Sequence, residues 1–244
     1  MKSVVSWERH SVWNIYLRPS SAAVFRASDG ALKHEISGTL DAVILESFRW
    51  TSSMRNWRTP KVSIWLSGAL ARPFIVGPVA GLKTWSEARA CALAVAPTAA
   101  GISTPTRPVL SGWPESAPTL AISTEEPLMS LLRRSAALCE VRLTTVRPWW
   151  GLACDIVSRR RNSRTSGFIA NEDDALTVLA TFNGRWAAAS TCSPKPNDTS
   201  IQALKLRLFT GHLPDEARLA TAAWINAPAE QRWPCISWQD EACR

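Results

Sequence analysis

Three short stretches of this chain hold residue types that can do chemistry. Glu172-Asp173-Asp174 gathers carboxylates that can hold a cation, though the same run also reads as a solvated turn. Arg159-Arg160-Arg161-Asn162-Ser163-Arg164 is the densest basic run and suits a phosphate or an acidic partner, or simply a solvated loop after a helix. Pro148-Trp149-Trp150 opens a helix, because proline is favourable in a first turn. Neighbouring helical residues point about 100° apart. One tryptophan can therefore enter the core while the other faces a cleft or a partner, or both can pack inside. The candidate partner-binding residues are accordingly Trp149, Trp150, Arg159, Arg160 and Arg161.

Other chemistry finds little footing. His10, His34 and His212 lie far apart, and none has a cysteine or an acidic pair at ligand spacing. No G-x-S-x-G surrounds Ser67-Gly68 or Ser111-Gly112, so neither is a nucleophile elbow. Walker A, G-x-G-x-x-G and H-E-x-x-H patterns are absent. The six cysteines, Cys91, Cys139, Cys154, Cys192, Cys235 and Cys243, include no C-x-x-C and read as free thiols in a reducing compartment. Cys235 and Cys243 are the one pair that an oxidant would join. No catalytic residue, metal ligand or cofactor is expected.

Composition sets wider bounds. The 244 residues suffice for one large domain or two small lobes, and 46% hydrophobic with 20% charged residues is a globular balance. No apolar run reaches the roughly 18–20 residues that span a bilayer, and the N-terminus lacks the apolar stretch of a secretory signal. The net charge of +8 favours anionic surfaces without choosing among lipid, acidic protein and nucleic acid. Thirteen tryptophans are scattered singly apart from Trp149-Trp150, which is the pattern of packing residues, not of a base-stacking platform.

The elements that must position these residues follow from period and punctuation. Residues 12–17, 22–27 and 31–36 read as strands, with Ser28-Asp29-Gly30 as a hairpin turn. A helix is expected from 40 to 57, carrying Val43, Ile44, Phe48 and Trp50 at helical spacing. Strands follow at 62–66 and 72–79. Thr84 with Glu87 forms a capping box for a helix that stops before Pro97. A Thr/Pro/Ser/Gly-rich connection over 99–118 leaves room for one short strand at Val109-Leu110. Then come a strand at 119–122, a second capping box of Ser123 with Glu126, a helix to about Cys139, a strand at 141–146 and the helix opened by Pro148. A meander of strands at 166–171, 175–182 and 185–191 turns at Glu172-Asp173-Asp174 and at Asn183-Gly184. A helix at 199–209 and a strand at 218–225 close the pattern; residues 226–244 remain unassigned.

A meander of strands followed by helix–strand units thus occurs twice. This order predicts an α/β fold with mixed sheets, in which a ribonuclease-H-like unit is duplicated into two lobes, the actin-like arrangement. The first lobe is expected over 1–147 with an inserted segment around 80–118, and a shorter second lobe over 148–244.

The segment L-S-G-A-L-A-R-P-F-I-V, from Leu66 to Val76, resembles the strand–turn–strand of the cytoplasmic actin-like domain in L-type proteins of type II secretion systems. A related segment occurs in the M-type actin-like proteins of type IV pilus assembly. W-S-E-A at Trp85, W-P at Trp113, L-A-I-S at Leu120, L-T-T-V-R-P-W-W at Leu143, D-A-L-T-V-L at Asp174 and N-G-R-W at Asn183 follow in a similar order. The resemblance covers about residues 60–190. It implies an assembly platform, cytoplasmic and peripheral to the inner membrane, that holds membrane partners and a secretion ATPase. The L-type proteins continue into a transmembrane helix and a periplasmic domain; this chain is expected instead to stand alone and to reach the membrane through partners.

An active actin-like site needs backbone amides from Gly-rich hairpins around the phosphates, with an acid to hold Mg²⁺. The first hairpin, Leu17-Arg18-Pro19-Ser20-Ser21, has neither Asp nor Gly, and Pro19 removes a donor. The second, Asn171-Glu172-Asp173-Asp174, repels phosphate unless a metal intervenes. The expected function is a non-catalytic scaffold that binds inner-membrane pilus or secretion components, with no nucleic acid among its partners. Two alternatives stand beside it. One is a basic, Trp-bearing nucleic-acid-binding module on a ribonuclease-H-like core; the other is an ATP-binding actin-like protein.

Overall fold

The structure, a computed structural model, describes residues 13–28, 30–54, 59–106, 108–151, 166–182, 185–194, 218–222 and 236–239. They fall into two compact units. One takes the residues up to Leu66 together with Ser130–Arg147. The other takes Ser67–Met129, the residues from Pro148 to Ala222, and 236–239. The expectation of an unbroken first lobe to 147 differs from this division, because the chain leaves the first unit after Leu66 and re-enters it at Ser130.

The first unit is built on a sheet of β1 (Trp13–Arg18), β2 (Ser21–Arg26), β3 (Leu32–Ser37), β4 (Lys61–Leu66) and β8 (Arg142–Pro148), in the order β3-β2-β1-β4-β8. The central strand β1 is buried from Trp13 to Leu17 without alternation, as expected of a strand covered on both faces. The edge strand β3 alternates between partly buried and exposed residues. Gly30, at φ +66°, makes the turn between β2 and β3, and its amide donates to Arg26 O at 2.8 Å.

Helix α1 (Leu40–Ser53) buries Val43, Ile44, Ser47, Phe48 and Thr51, which fall on one helical face. The hydroxyls of Ser47 and Thr51 are satisfied inside the helix, each donating at 2.7 Å to the carbonyl four residues back. Trp50 meets Trp13 edge-on and stacks on His34, both at 5.2 Å between ring centroids. His34 is thus a packing residue. Buried Asn14 accepts from the Trp65 indole at 3.2 Å, so a polar group in the middle of the sheet keeps a partner. The helix ends at Ser53, four residues before the expected 57.

The second unit contains two sheets. The smaller has the order β5-β7-β6, from β5 (Ala71–Val76), β6 (Val109–Leu110) and β7 (Thr119–Thr124). Pro73 lies on β5, an edge strand, where a missing donor is tolerated. Helix α2 (Trp85–Ala100) buries a methyl stripe of Ala88, Ala92 and Ala96, and packs Ala92 and Ala96 against Phe74, Val76 and Ala121 of this sheet. The expected Thr84–Glu87 capping box forms in full. The helix runs through Pro97 instead of stopping before it. Pro97 lies in the last turn, its carbonyl accepts from Gly101 N at 3.1 Å, and Gly101 closes the helix in the left-handed conformation. The Arg72 guanidinium donates to Ala100 O and Gly101 O at 3.0 and 3.1 Å, a cation at the helix C-terminus.

Helix α3 (Glu126–Leu138) follows β7. The second expected capping box does not form: Ser123 belongs to β7, and its hydroxyl donates to Thr106 O at 3.0 Å.

The larger sheet has the order β11-β10-β9-β12-β13, from β9 (Ser166–Asn171), β10 (Leu176–Phe182), β11 (Arg185–Cys192), β12 (Arg218–Ala222) and β13 (Ile236–Gln239). Its third-second-first-fourth-fifth order repeats that of the first unit. In both sheets the first strand pairs antiparallel with the second and parallel with the fourth. This repetition is the duplicated ribonuclease-H-like plan expected from the sequence. Strand β13 runs antiparallel to β12. The turn residues Asn183 and Gly184, the helix expected at 199–209 and most of 226–244 lie outside the described residues. Strands β10 and β11 pair as far as Phe182↔Arg185.

Candidate functional site

The first of the two hairpins is tight. Arg18 pairs with Ser21, which leaves Pro19-Ser20 as a two-residue loop. Pro19 has no amide to offer, and Ser20 O already accepts from Gly38 N at 3.0 Å. Nothing in this loop resembles a cradle of free amides.

The acidic hairpin has a different character. Strands β9 and β10 pair through Asn171↔Leu176, and Glu172 N donates to Ala175 O at 2.9 Å to close the turn. Glu172 is only 1% exposed, so the solvated-turn reading does not describe it. Its Oε2 accepts the Gly68 amide at 2.8 Å, and Asp174 Oδ2 accepts the Ser67 hydroxyl at 2.8 Å. The hydroxyls of Thr177 and Thr191 pair at 2.9 Å, and Ser193 donates to Asp174 O at 3.2 Å. A side chain on Gly68 would collide with Thr177 Oγ1 and reach within 2.9 Å of Glu172 Oε2. The turn at Ser67-Gly68 must therefore be bare backbone on this side, and its amide is aimed at a carboxylate. A buried carboxylate needs a hydrogen-bond donor, and the Gly68 amide supplies one to Glu172.

The tryptophans read as docking residues are not on the surface. Trp149 and Trp150 are each 1% exposed, and the Trp150 indole donates to Ala71 O at 2.8 Å. Burial with a satisfied N–H makes Trp150 a packing residue of the second unit and leaves neither ring for a partner. Arg159, Arg160 and Arg161 lie outside the described residues. Among the described residues, no group of three or more His, Cys, Asp or Glu is placed to hold a metal ion.

One surface escaped sequence reasoning. From Ala90 to Ala100 helix α2 carries no charged residue, and Ala90, Leu93, Ala94 and Pro97 are exposed along its outer side. At its N-terminal end Trp85 is 47% exposed and meets Trp113 edge-on at 5.2 Å. Trp113 in turn donates its indole N–H to Glu115 Oε2 at 3.0 Å. The signal was visible as an uncharged eleven-residue run, but it read as ordinary helix because the inner and outer faces are both built from alanine.

No protein-family model and no curated protein matches the chain. Solved structures do. A Bacteroides thetaiotaomicron protein with an actin-like ATPase fold and unknown function aligns at a TM-score of 0.54 and 9% identity, over 91% of this chain and 86% of that one. A chain of the PilM-PilN type IV pilus biogenesis complex aligns at 0.51 and 10% identity, over 76% of this chain and 62% of that one. At such identity the likeness shows the fold alone. The chain has an actin-like α/β fold. The cytoplasmic domain of EpsL, an inner-membrane component of the type II secretion system of Vibrio cholerae, aligns at 0.46 and 9% identity, over 74% and 70% of the two chains, and adds nothing to that assignment. Among the described residues no helix is long and apolar enough to cross a membrane.

Proposed function

We propose that this chain is a non-catalytic scaffold of a type IV pilus or type II secretion machine, docking protein partners at the cytoplasmic face of the inner membrane. The observation that carries the reading is the outer side of α2. The outer side of α2 from Ala90 to Ala100, exposed and uncharged on a chain of net charge +8, fits an apolar segment of a partner protein. The fold supports it, since a neighbour of the same fold forms part of a complex of type IV pilus biogenesis. The segment order from Leu66 to Trp186 points the same way. A non-catalytic role is supported by Pro19 in the first hairpin and by the carboxylates that fill the second.

The occupant of the α2 face is an apolar segment of an inner-membrane pilus or secretion component. Co-purification with such components, encoded beside this chain, tests the reading. The wild-type chain captures one of them, and Leu93→Asp weakens capture at least tenfold while leaving the melting temperature within a degree or two, because Leu93 is exposed. Capture of none of them, or equal capture by Leu93→Asp, defeats it.

A further inference from the structure

We infer that Glu172 and Asp174 serve as a built-in anion, which fills a donor cluster that would otherwise hold a phosphate group and so closes the second unit to phosphate-bearing ligands. The donors come from separate stretches of that unit. Gly68 N–H points to Glu172 Oε2 and the Ser67 hydroxyl to Asp174 Oδ2, both at 2.8 Å. The Thr177–Thr191 hydroxyl pair lies against Gly68, and the Ser193 hydroxyl reaches the Asp174 carbonyl. A backbone amide left bare by glycine, with hydroxyls around it, is a chemistry proteins use to hold phosphate oxygens. Here the Gly68 amide and the Ser67 hydroxyl meet carboxylate oxygens of the protein itself, while the Thr177–Thr191 pair and Ser193 line the same spot.

Two features make this arrangement an occupied site and not a simple turn. Glu172 is 1% exposed, and its carboxylate accepts the Gly68 amide in place of water. Gly68 packs so closely that a methyl group would strike Thr177 Oγ1, which keeps the amide directed at one acceptor. A phosphate entering beside two carboxylates would meet like charge at close range in a poorly solvated place. The inference rests on the nucleotide-free part of the scaffold reading and is independent of the partner on α2.

The test compares the full chain with Glu172→Ala/Asp174→Ala, using inorganic phosphate and Mg-ATP as probes and circular dichroism to confirm folding. Millimolar phosphate leaves the wild-type melting temperature unchanged and raises that of the folded double variant by several degrees, as a ligand bound only to the native state must. A folded double variant that gains nothing overturns the proposal, as does a wild-type chain that is stabilised equally. If the double variant does not fold, the wild-type Gly68 amide decides by NMR. Its resonance stays fixed through a phosphate titration when Glu172 holds it, and a resonance that moves overturns the proposal. Partner capture is measured separately, so loss of the scaffold reading leaves these outcomes intact.

Discussion

Gly68 is the residue whose replacement is most tightly constrained. A Cβ there meets Thr177 Oγ1 and Glu172 Oε2, so Gly68→Ala must push the turn away from the acidic hairpin. The expected cost is about 1–3 kcal/mol, the range for overpacking a close contact. Urea unfolding measures it, and adding Thr177→Ala recovers part of the loss. Trp150 is a second such residue. Removing its buried ring and its bond to Ala71 O in Trp150→Ala costs about 3–5 kcal/mol.

Glu125 supplies a pH dependence. Burial alone raises its pKa, but the Thr104 hydroxyl and amide, the Ser103 amide and the nearby Arg72 charge outweigh burial and lower it. A carboxylate with a depressed folded pKa contributes stability above its unfolded value of about 4.3, and that contribution is lost as pH falls through the folded value. Glu125→Gln therefore lowers the melting temperature at neutral pH and flattens its fall in acid. Parallel melting curves in neutral and acid buffers would show it, and identical slopes would refute it. The roles of Gly68 and Glu125 were not legible in advance, whereas burial of Trp150 was one of the readings its sequence allowed. Glu172 looked like a surface acid because its donor, the Gly68 amide, lies more than a hundred positions earlier in the chain.

Among the elements, local signals succeeded where no distant partner competed. Thr84-x-x-Glu87 closes a capping box because the residues before α2 lie in loop. Ser123-x-x-Glu126 has the same letters and fails, because the strand pairing of β7 with β5 holds Ser123 extended opposite Arg72. Pro97 misled for a related reason: a proline in a last turn forfeits one hydrogen bond, and Gly101 with Arg72 supplies a sound ending beyond it. Thr84→Ala is expected to cost about 1 kcal/mol, read from the shift in the urea midpoint. The meander at β9, β10 and β11 was legible almost to the residue, since the acidic run at Glu172-Asp173-Asp174 marks the turn between its first two strands.

At the scale of the whole molecule, the repeated strand order was readable from element order alone, and the solved neighbours of the same fold agree with it. The interleaving of the units was not readable. Nothing local at Leu66-Ser67 marks the passage from one unit to the other, since the strand before it and the turn after it are ordinary. The net charge belongs to this scale too. Apart from Trp149-Trp150 the tryptophans are scattered singly along the sequence instead of forming a base-stacking pattern beside the basic residues, so the chain is expected to show no binding of a DNA or RNA oligomer at physiological salt in a mobility-shift assay. Tight, steeply salt-dependent binding would favour a nucleic-acid module instead.

The methyl stripe of α2 has one more consequence. Ala88, Ala92 and Ala96 anchor the helix with small groups, while Thr84 and Glu87 fix its start and Arg72 and Gly101 its end. The outward residues contribute little to holding it in place. They are free to drift without loss of the fold, so related chains can acquire new binding preferences by rewriting Ala90, Leu93, Ala94 and Pro97 while every strand stays where it is.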